Sequence, residues 1–255
     1  MLRLFPPSAE PLDPNTIYDD LELPQPGPDR SYVLINMVST VDGKVALRGR
    51  AAGLGSAVDH VAMRKLRAVV DAVVNGAGTL RREHVNPTVP PALEARRVAL
   101  GLTPQPVGVL MSGSLDVPSQ KWYFQARPGY QAVVFTGRQG DPERARALAQ
   151  HARVIVAGDE EPEFTRVLEI LRTDFGARRV LVEGGPRLNQ SLLSAGLADE
   201  LFVTLAPKLL GGPALSLVEG DSLLAGAPVQ LDLVSALHHE SELFLRYRIR
   251  SVSAA

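Results

Sequence analysis

The sequence predicts an α/β fold with a mostly parallel central sheet flanked by helices. From residue 31 onward, short apolar and β-branched segments alternate with amphipathic segments. Such alternation is typical of parallel strands joined by helical crossovers. Towards the C-terminus, strand-like segments follow one another with little helix between them. This change predicts an antiparallel strand hairpin that closes the sheet edge.

The individual elements follow from the local pattern. The strands are expected at 32–39, 71–76, 106–112, 131–137, 153–157 and 179–183, and near the C-terminus at 200–206, 229–237 and 243–249. The helices are expected at 56–69, 141–151, 162–176 and 187–196. At the start of the first helix, Ser56 is the candidate N-cap and Asp59 follows three residues later, as in a capping box.

The first thirty residues differ in composition from the remainder. Residues 1–30 contain seven prolines, which cannot sustain a helix or a central strand. We expect an extended arm, and a disordered tail is the rival interpretation. The candidate anchors of the arm are apolar: Ile17, Tyr18, Leu21 and Leu23. Because no internal linker follows, residues 31–255 are predicted to form a single domain.

Composition excludes several classes of function. Hydrophobic residues make up 45% of the chain and charged residues 22%, which suits a soluble globular protein. The net charge of −1 gives no electrostatic case for binding nucleic acid or an anionic membrane. The chain has no cysteine and five histidines without ligand spacing, so no metal site is predicted. No signal peptide or membrane-spanning apolar run is visible, and a cytoplasmic location is expected.

The stretch 180–191 is the most informative part of the chain. An apolar strand runs into Glu183, two glycines and Pro186, and an amphipathic segment follows. Glycines at such a junction let a backbone approach a ligand closely, and the amides at a helix start favour phosphate. The carboxyl end of a strand is where open α/β sheets bind ligands.

Two earlier strands also end in small or polar residues. The first carries Asn36 and leads to the Asp42-Gly43 turn, and the second leads to Gly78 and Thr79. Each pattern alone is weak, since Asp-Gly is foremost a turn signal. Three such strand ends in one chain favour a shared ligand site.

Read in order, these segments resemble a known family. Residues 36–44 read N-x-x-S-T-x-D-G-K, residues 66–79 read L-R-A-x-x-D-A-V-V-x-G-A-G-T, and residues 182–189 read V-E-G-G-P-x-L-N. This order is similar to that of the reductase domain of riboflavin biosynthesis, over about residues 31–249. The resemblance implies a dihydrofolate-reductase-like fold, NADPH as cofactor, and a homodimer. Without cysteines, the zinc deaminase domain found in bifunctional members is not expected.

The resemblance also implies a reaction and a set of residues. Hydride passes to the ribosyl C1 of 5-amino-6-(5-phosphoribosylamino)uracil, in its open-chain imine form, to give the ribitylamino product. Asp42 and Glu183 match catalytic positions that also contact substrate, and Asn36 and Arg67 match substrate positions. The positions implied to bind NADPH are Val38, Leu54, Gly76, Gly78, Thr79, Glu83, Gly184, Gly185, Pro186, Arg187, Leu188 and Asn189.

Departures from the family pattern lie on the substrate side. After Thr79 the chain has Arg81-Arg82-Glu83, and Glu83 stands where the family has aspartate. Arg81, Arg82 and Arg138 are the candidates for recognising the 2′-phosphate of NADPH. Two alternatives stay open: a related NADPH reductase acting on a pterin or another small imine or carbonyl, and a nucleotide-binding relative without catalysis.

Overall fold

The computed structural model describes residues 1–119 and 121–250, and it divides into two compact units. The terminal unit comprises Met1–Pro24, Val33–Lys65 and Pro186–Ala255, and the central unit comprises Gln25–Tyr32 and Leu66–Gly185. Residues 251–255, the end of the predicted domain 31–255, lie outside the described residues. The single-domain boundary stays a prediction.

Ten strands and six α-helices alternate along the described residues. The strands are β1 (Leu2–Phe5), β2 (Tyr32–Thr40), β3 (Ala72–Gly76), β4 (Val107–Met111), β5 (Ala132–Thr136), β6 (Arg153–Val156), β7 (Arg179–Val182), β8 (Glu200–Ala206), β9 (Leu231–His239) and β10 (Glu242–Ile249). The helices are α1 (Ala57–Arg67), α2 (Ala77–Arg82), α3 (Pro91–Ala99), α4 (Pro142–Leu148), α5 (Phe164–Phe175) and α6 (Pro186–Ser194). Short 3-10 helices occupy Pro14–Thr16, Trp122–Phe124 and Leu223–Gly226.

The central unit contains the parallel part of the sheet. Its strands are ordered β7-β3-β4-β5-β6, and every pair is parallel. β3 and β5 are buried along their whole length, as expected of strands covered on both faces. The chain runs outward from β3 to β6 and then returns to β7 on the other side of β3. This reversal creates a topological switch point between β3 and β7.

The terminal unit contains the antiparallel strands. Its order is β1-β9-β10-β8-β2. β2 and β8 are parallel, whereas the pairs β8–β10, β10–β9 and β9–β1 are antiparallel. The predicted C-terminal hairpin is therefore confirmed. Phe202 and Phe244 are buried in this unit, because alternate positions of a strand that is solvated on one face point inward.

The N-terminal residues contact the terminal unit at several points. β1 pairs with the edge of β9, where a strand tolerates nearby prolines. Of the predicted anchors, Ile17 and Tyr18 are buried. The Tyr18 ring packs edge-on against Phe202, with 5.5 Å between the centroids, and Arg246 donates to the Glu22 carbonyl at 3.0 Å.

The predicted cap of α1 is confirmed with one change. The Ser56 hydroxyl accepts from the amides of Val58 and Asp59 at 3.1 and 3.3 Å. The Ser56 amide donates to Glu242 Oε1 at 2.9 Å, so a carboxylate from β10 takes the place expected for Asp59. Tertiary structure thus completes a motif that the sequence shows only in part.

Three elements were not predicted. β1 lies in the proline-rich segment. α2 has only six residues and contains a glycine. α3 begins at the second of two adjacent prolines. Proline is tolerated at the first position of α3, because the backbone N–H of that position has no hydrogen-bond acceptor within the helix. No helix in the described part of the chain is both long and apolar enough to span a bilayer.

Candidate functional site

The carboxyl ends of β3 and β7 meet at the switch point of the central unit. The Gly76 amide donates to the Gly184 carbonyl at 2.9 Å, and the Glu183 amide donates to the Val74 carbonyl at 3.0 Å. These bonds continue the strand pairing one step beyond β7. The two glycine-containing segments singled out from the sequence are therefore neighbours in space, at the edge where parallel sheets bind ligands.

Arg67 and Glu183 form a bidentate ion pair at this edge. Arg67 Nε donates to Glu183 Oε1 at 2.6 Å, and Arg67 Nη2 donates to Oε2 at 2.8 Å. Each side chain is only 8% exposed. Asn75 Nδ2 lies 3.4 Å from Glu183 Oε2, and Asn75 Oδ1 is buried without a hydrogen-bond partner among the described residues. The carboxylate is thus fixed by charge-assisted hydrogen bonds from the guanidinium, and the Asn75 acceptor lies beside it.

A second arginine supports Arg67 through its backbone. Arg97, which is fully buried, donates through Nη1 to the carbonyls of Arg67 and Val70 at 2.7 and 2.6 Å. Burial lowers the pKa of Arg97 to about 10, and the charge of Asp71 opposes this shift. The carbonyls at the end of α1 are therefore capped by a cation. Sequence reasoning missed Arg97, since only its contacts distinguish it from a surface arginine.

The glycines after Glu183 carry no side chain that would keep a ligand from the backbone; Gly184 is buried and Gly185 is half-buried. Gly184 has φ 79°, and the peptide between Gly184 and Gly185 is cis. A Cβ added at Gly185 would lie 3.3 Å from Thr79 Oγ1, so a side chain there would crowd the Thr79 hydroxyl. Within the described residues that hydroxyl has no hydrogen-bond partner.

The other predicted cofactor residues of the central unit belong to α2. Gly76 is its N-cap, Gly78 and Thr79 lie in its first turn, and Glu83 is its C-cap. The Glu83 amide donates to the Thr79 carbonyl at 2.8 Å. Glu83 therefore ends the helix in the place where the family has aspartate.

The three candidate arginines for the 2′-phosphate have different surroundings. Arg81 Nη1 donates to the Asp116 carbonyl at 2.8 Å, and Arg82 is exposed. The Arg138 side chain is 81% exposed and lies 3.5 Å from Asp159. Arg82 is thus the candidate for which neither a side-chain hydrogen bond nor an ion pair is found in the described structure, and the choice among the three stays open.

In the terminal unit, Asp42 organises a turn. Its carboxylate accepts from the Thr40 hydroxyl at 2.6 Å, from the Gly211 amide at 2.7 Å and from the Leu210 amide at 3.2 Å. The Thr40 bond, followed by the Gly211 bond, lowers the pKa of Asp42 from 3.8 to about 2. Asp42 is exposed and ionised at neutral pH.

The remaining predicted residues on and after β2 are positioned by backbone contacts. Asn36 and Val38 are half-buried on β2, opposite Phe202 and Thr204 of β8. Leu54 is fully buried. Lys208 Nζ donates to the carbonyls of Gly53 and Leu54 at 2.8 and 2.5 Å, which fixes the loop that leads into α1.

The first turns of α6 carry the other predicted cofactor positions. Arg187 is exposed and Leu188 is half-buried. Asn189 is fully buried. Its Nδ2 donates to the Leu217 carbonyl at 2.9 Å, whereas its Oδ1 has no hydrogen-bond partner in the described part of the chain. The Pro186 carbonyl accepts from the Glu219 amide at 3.3 Å. Among the described residues, no cluster of acidic and histidine side chains could hold a metal ion.

Comparison with known proteins extends this description. The family model of the RibD C-terminal domain matches residues 31–245. A 2,5-diamino-6-ribosylamino-4(3H)-pyrimidinone 5′-phosphate reductase of Methanothermobacter thermautotrophicus is 29% identical over 224 residues, covering 87% of this chain and 99% of the relative. The protein of the same name from Archaeoglobus fulgidus is 31% identical over 198 residues, covering 76% and 89%.

Solved structures agree on the fold. A pyrimidine reductase-like protein from Corynebacterium diphtheriae superposes with a TM-score of 0.79 at 23% identity, covering 94% of this chain and 99% of that one. A riboflavin biosynthesis reductase from Saccharomyces cerevisiae gives 0.66 at 17% identity, covering 87% and 90%. The predicted dihydrofolate-reductase-like α/β fold is confirmed.

The predictions of family and of enzyme class are confirmed as well. The curated relatives are named as reductases, and the family is one of pyridine-nucleotide-dependent oxidoreductases. The resemblance stated from three short motifs therefore extends over most of the sequence. The chain belongs to the RibD C-terminal domain family.

Proposed function

We propose that this chain uses NADPH to reduce a ribosylaminopyrimidine 5′-phosphate in riboflavin biosynthesis. The observation that carries the proposal is the buried Arg67–Glu183 pair at the switch point of the central unit. It stands where an α/β sheet binds its ligand, and both residues match substrate positions of the family. The names of the archaeal relatives support the same substrate class.

Two pyrimidines fit this class. The sequence resemblance implies 5-amino-6-(5-phosphoribosylamino)uracil, whereas the archaeal relatives are named for 2,5-diamino-6-ribosylamino-4(3H)-pyrimidinone 5′-phosphate. The two rings differ in the group at position 2, which is oxo in the first and amino in the second. We favour the diaminopyrimidinone, because a relative that carries its name is 31% identical and aligns over 89% of its own length.

For this reaction the protein must orient the substrate and stabilise the positive charge that develops on it. A bound NADPH would supply the hydride, which adds to C1 of the open-chain imine while a proton is taken up at the imine nitrogen. Glu183 is held in place by two hydrogen bonds from Arg67, and a fixed carboxylate orients sugar hydroxyls and stabilises positive charge at C1. We assign Asp42 a second orienting role and Asn36 a substrate contact.

Each unit, taken by itself, has residues that suit phosphate or ribose. In the central unit, Gly185 is half-buried and has no side chain, and a Cβ there would lie 3.3 Å from the Thr79 hydroxyl, for which the described residues provide no hydrogen-bond partner. In the terminal unit, α6 begins at Pro186, directly after Gly185, and Asn189 Oδ1 is a buried acceptor to which no described residue donates. Free hydroxyl, amide and backbone groups of this kind bind phosphate and ribose. The family positions Val38 and Leu54 complete the proposed set.

A turnover assay tests the proposal. The purified protein is mixed with NADPH and each pyrimidine in turn, and the loss of reduced nicotinamide absorbance is followed. We expect turnover with at least one pyrimidine and a product heavier by two hydrogens in the mass spectrum. If NADPH binds but neither pyrimidine is reduced, the pterin or small-imine alternative replaces the proposed substrate. If NADPH does not bind, the reductase proposal itself fails.

We retain the homodimer as a proposal that rests on the family resemblance. The apolar residues of the C-terminal strands that could supply an interface are Leu201, Phe202, Leu243 and Phe244. Phe202 and Phe244 are core residues of the terminal unit, whereas the two leucines are half-buried. Light scattering of the purified chain would give its mass in solution and decide the oligomeric state. The cytoplasmic location likewise stays a prediction.

A further inference from the structure

Arg127 lies over two aromatic rings in the central unit. Its guanidinium carbon is 4.6 Å from the centroid of the Trp122 ring and 4.6 Å from that of the Tyr130 ring. Trp122 is 40% exposed and is the single tryptophan of the chain. We call these three residues the Arg127 stack. Contacts of a cation with aromatic faces fix the plane of the guanidinium.

All three nitrogens of Arg127 donate hydrogen bonds within the protein. Nε donates to the Gln125 carbonyl at 3.2 Å, and Nη2 donates to the Trp122 carbonyl. Nη1 donates to Asn86 Oδ1 at 2.9 Å and to Thr88 Oγ1 at 3.3 Å. The fork is therefore committed to the protein, and its position indicates a supporting role rather than contact with a ligand.

Asn86 connects the Arg127 stack to the ion pair. Its Oδ1 also accepts from the Thr88 amide and hydroxyl, at 3.2 and 2.7 Å, so the side chain holds its own backbone turn. The Asn86 carbonyl accepts from Arg67 Nη1. The contacts thus run without a break from Arg127 through Asn86 to Arg67, and from there to Glu183.

From this chain of contacts we propose that Arg127 is a positioning residue for the Arg67–Glu183 pair. By fixing the Asn86 turn, it sets where Arg67 Nη1 is held, and so the orientation of the other two nitrogens that grip Glu183. The expected effect on turnover rests on the proposed function, whereas the effect on Arg67 does not. Lysine should replace Arg127 poorly, because a single ammonium cannot reproduce a stacked fork with four acceptors.

The first test needs no ligand. The side-chain Nε–H signal of Arg67 is recorded by proton–nitrogen NMR and assigned by its loss in Arg67→Lys. In the wild type the buried pair should give a shifted signal that exchanges slowly with solvent. In Arg127→Met and Arg127→Lys that signal should move and exchange faster, whereas in the exposed control Arg166→Met it should stay unchanged. An Arg67 signal that is identical in the wild type and in both Arg127 variants would overturn the proposal.

The second test measures the consequence for the reaction. With the pyrimidine that the wild type reduces, Arg127→Met should lower kcat/KM about tenfold, mainly through KM for the pyrimidine, because Arg127 touches no reacting atom. The KM for NADPH should stay close to the wild-type value, and Arg127→Lys should recover only part of the loss. Equal loss in both KM values would indicate a general defect and overturn the positioning role.

The two tests separate the two proposals. If the wild type reduces neither pyrimidine, the proposed function fails, and the Arg67 signal still decides the role of Arg127. Emission from Trp122 provides a check on folding, since each variant should retain a cooperative unfolding transition seen by this tryptophan.

Discussion

The terminal and central units each present a predicted catalytic carboxylate, and the two are held in opposite ways. Asp42 is exposed and accepts hydrogen bonds from its own turn and from Leu210 and Gly211. Glu183 is buried and depends on one cation, Arg67, 116 residues away in sequence. An exposed carboxylate with several neutral donors tolerates loss of any one of them. A buried carboxylate with one cationic partner does not tolerate the loss of that partner, because a buried charge is left without compensation.

The largest effect is therefore expected for Arg67→Met. It leaves the Glu183 charge buried without its partner, and breaking such a pair typically costs about 3–5 kcal/mol of the free energy of unfolding. Denaturant unfolding monitored by circular dichroism measures it. The control Arg166→Met, on the exposed face of α5, should change stability by less than about 0.5 kcal/mol. An Arg67→Met variant as stable as this control would show that Glu183 does not need the pair.

Gly185→Val tests the backbone beside this pair. A β-branched side chain would crowd Thr79 Oγ1, which an added Cβ already approaches to 3.3 Å, and would block approach of a ligand to the backbone. We expect NADPH affinity to fall about a hundredfold or more, which corresponds to about 2.7 kcal/mol. Calorimetric titration measures the affinity, and unfolding without nucleotide shows whether the variant is intact. Normal NADPH affinity would remove Gly185 from the proposed cofactor site.

Glu183→Gln separates the chemical role of this carboxylate from its structural one. The amide keeps the shape and removes the charge, so kcat/KM for the pyrimidine should fall about a hundredfold, while NADPH affinity stays nearly intact. Steady-state kinetics and a nucleotide titration on the same preparation give both values. Equal loss of both would assign Glu183 a structural role only.

The smallest effect is expected for Asp42→Asn, and it should depend on pH. Hydrogen bonds lower the pKa of Asp42 from 3.8 to about 2, so the ionised form stabilises the folded state. That contribution is complete above pH 3.8 and is lost as the pH falls towards 2. The stability difference between wild type and variant should therefore be constant near neutral pH and shrink over this acid range. If the stability difference did not change with pH, the effect of Asp42→Asn would come from the shape of the turn and not from the charge of Asp42.

The contrast between the two carboxylates also marks what the sequence could reveal. The strand and helix order from residue 31 followed from periodicity, because buried strands and amphipathic helices leave regular patterns. The strand ends at Gly76 and Glu183 were likewise visible. The pairing of Arg67 with Glu183 was not, since no local signal joins residues so far apart in the chain. The resemblance named both residues as substrate contacts, and the structure adds that each holds the other.

Two supporting arginines and one helix were missed because local sequence does not reveal their tertiary contacts. Arg97 and Arg127 look like surface arginines in sequence, and only tertiary contacts place one under α1 and the other over Trp122. α3 starts at a proline, which usually indicates the interruption of a helix, although proline also suits the first position of one. Local sequence preferences do not show which side chains are buried. Residues that support a site through tertiary contacts are therefore the hardest to predict from sequence.

Thermal unfolding with and without nucleotide tests the central claim most directly. NADPH at about 100 times its dissociation constant should add about 2.7 kcal/mol, a rise in Tm of about 5–10 °C for a chain of this size. NADH at the same concentration should give a much smaller rise, because it lacks the 2′-phosphate. A shift with NADPH alone would support the reductase account and leave only the pyrimidine to be identified. No shift with either nucleotide would contradict it.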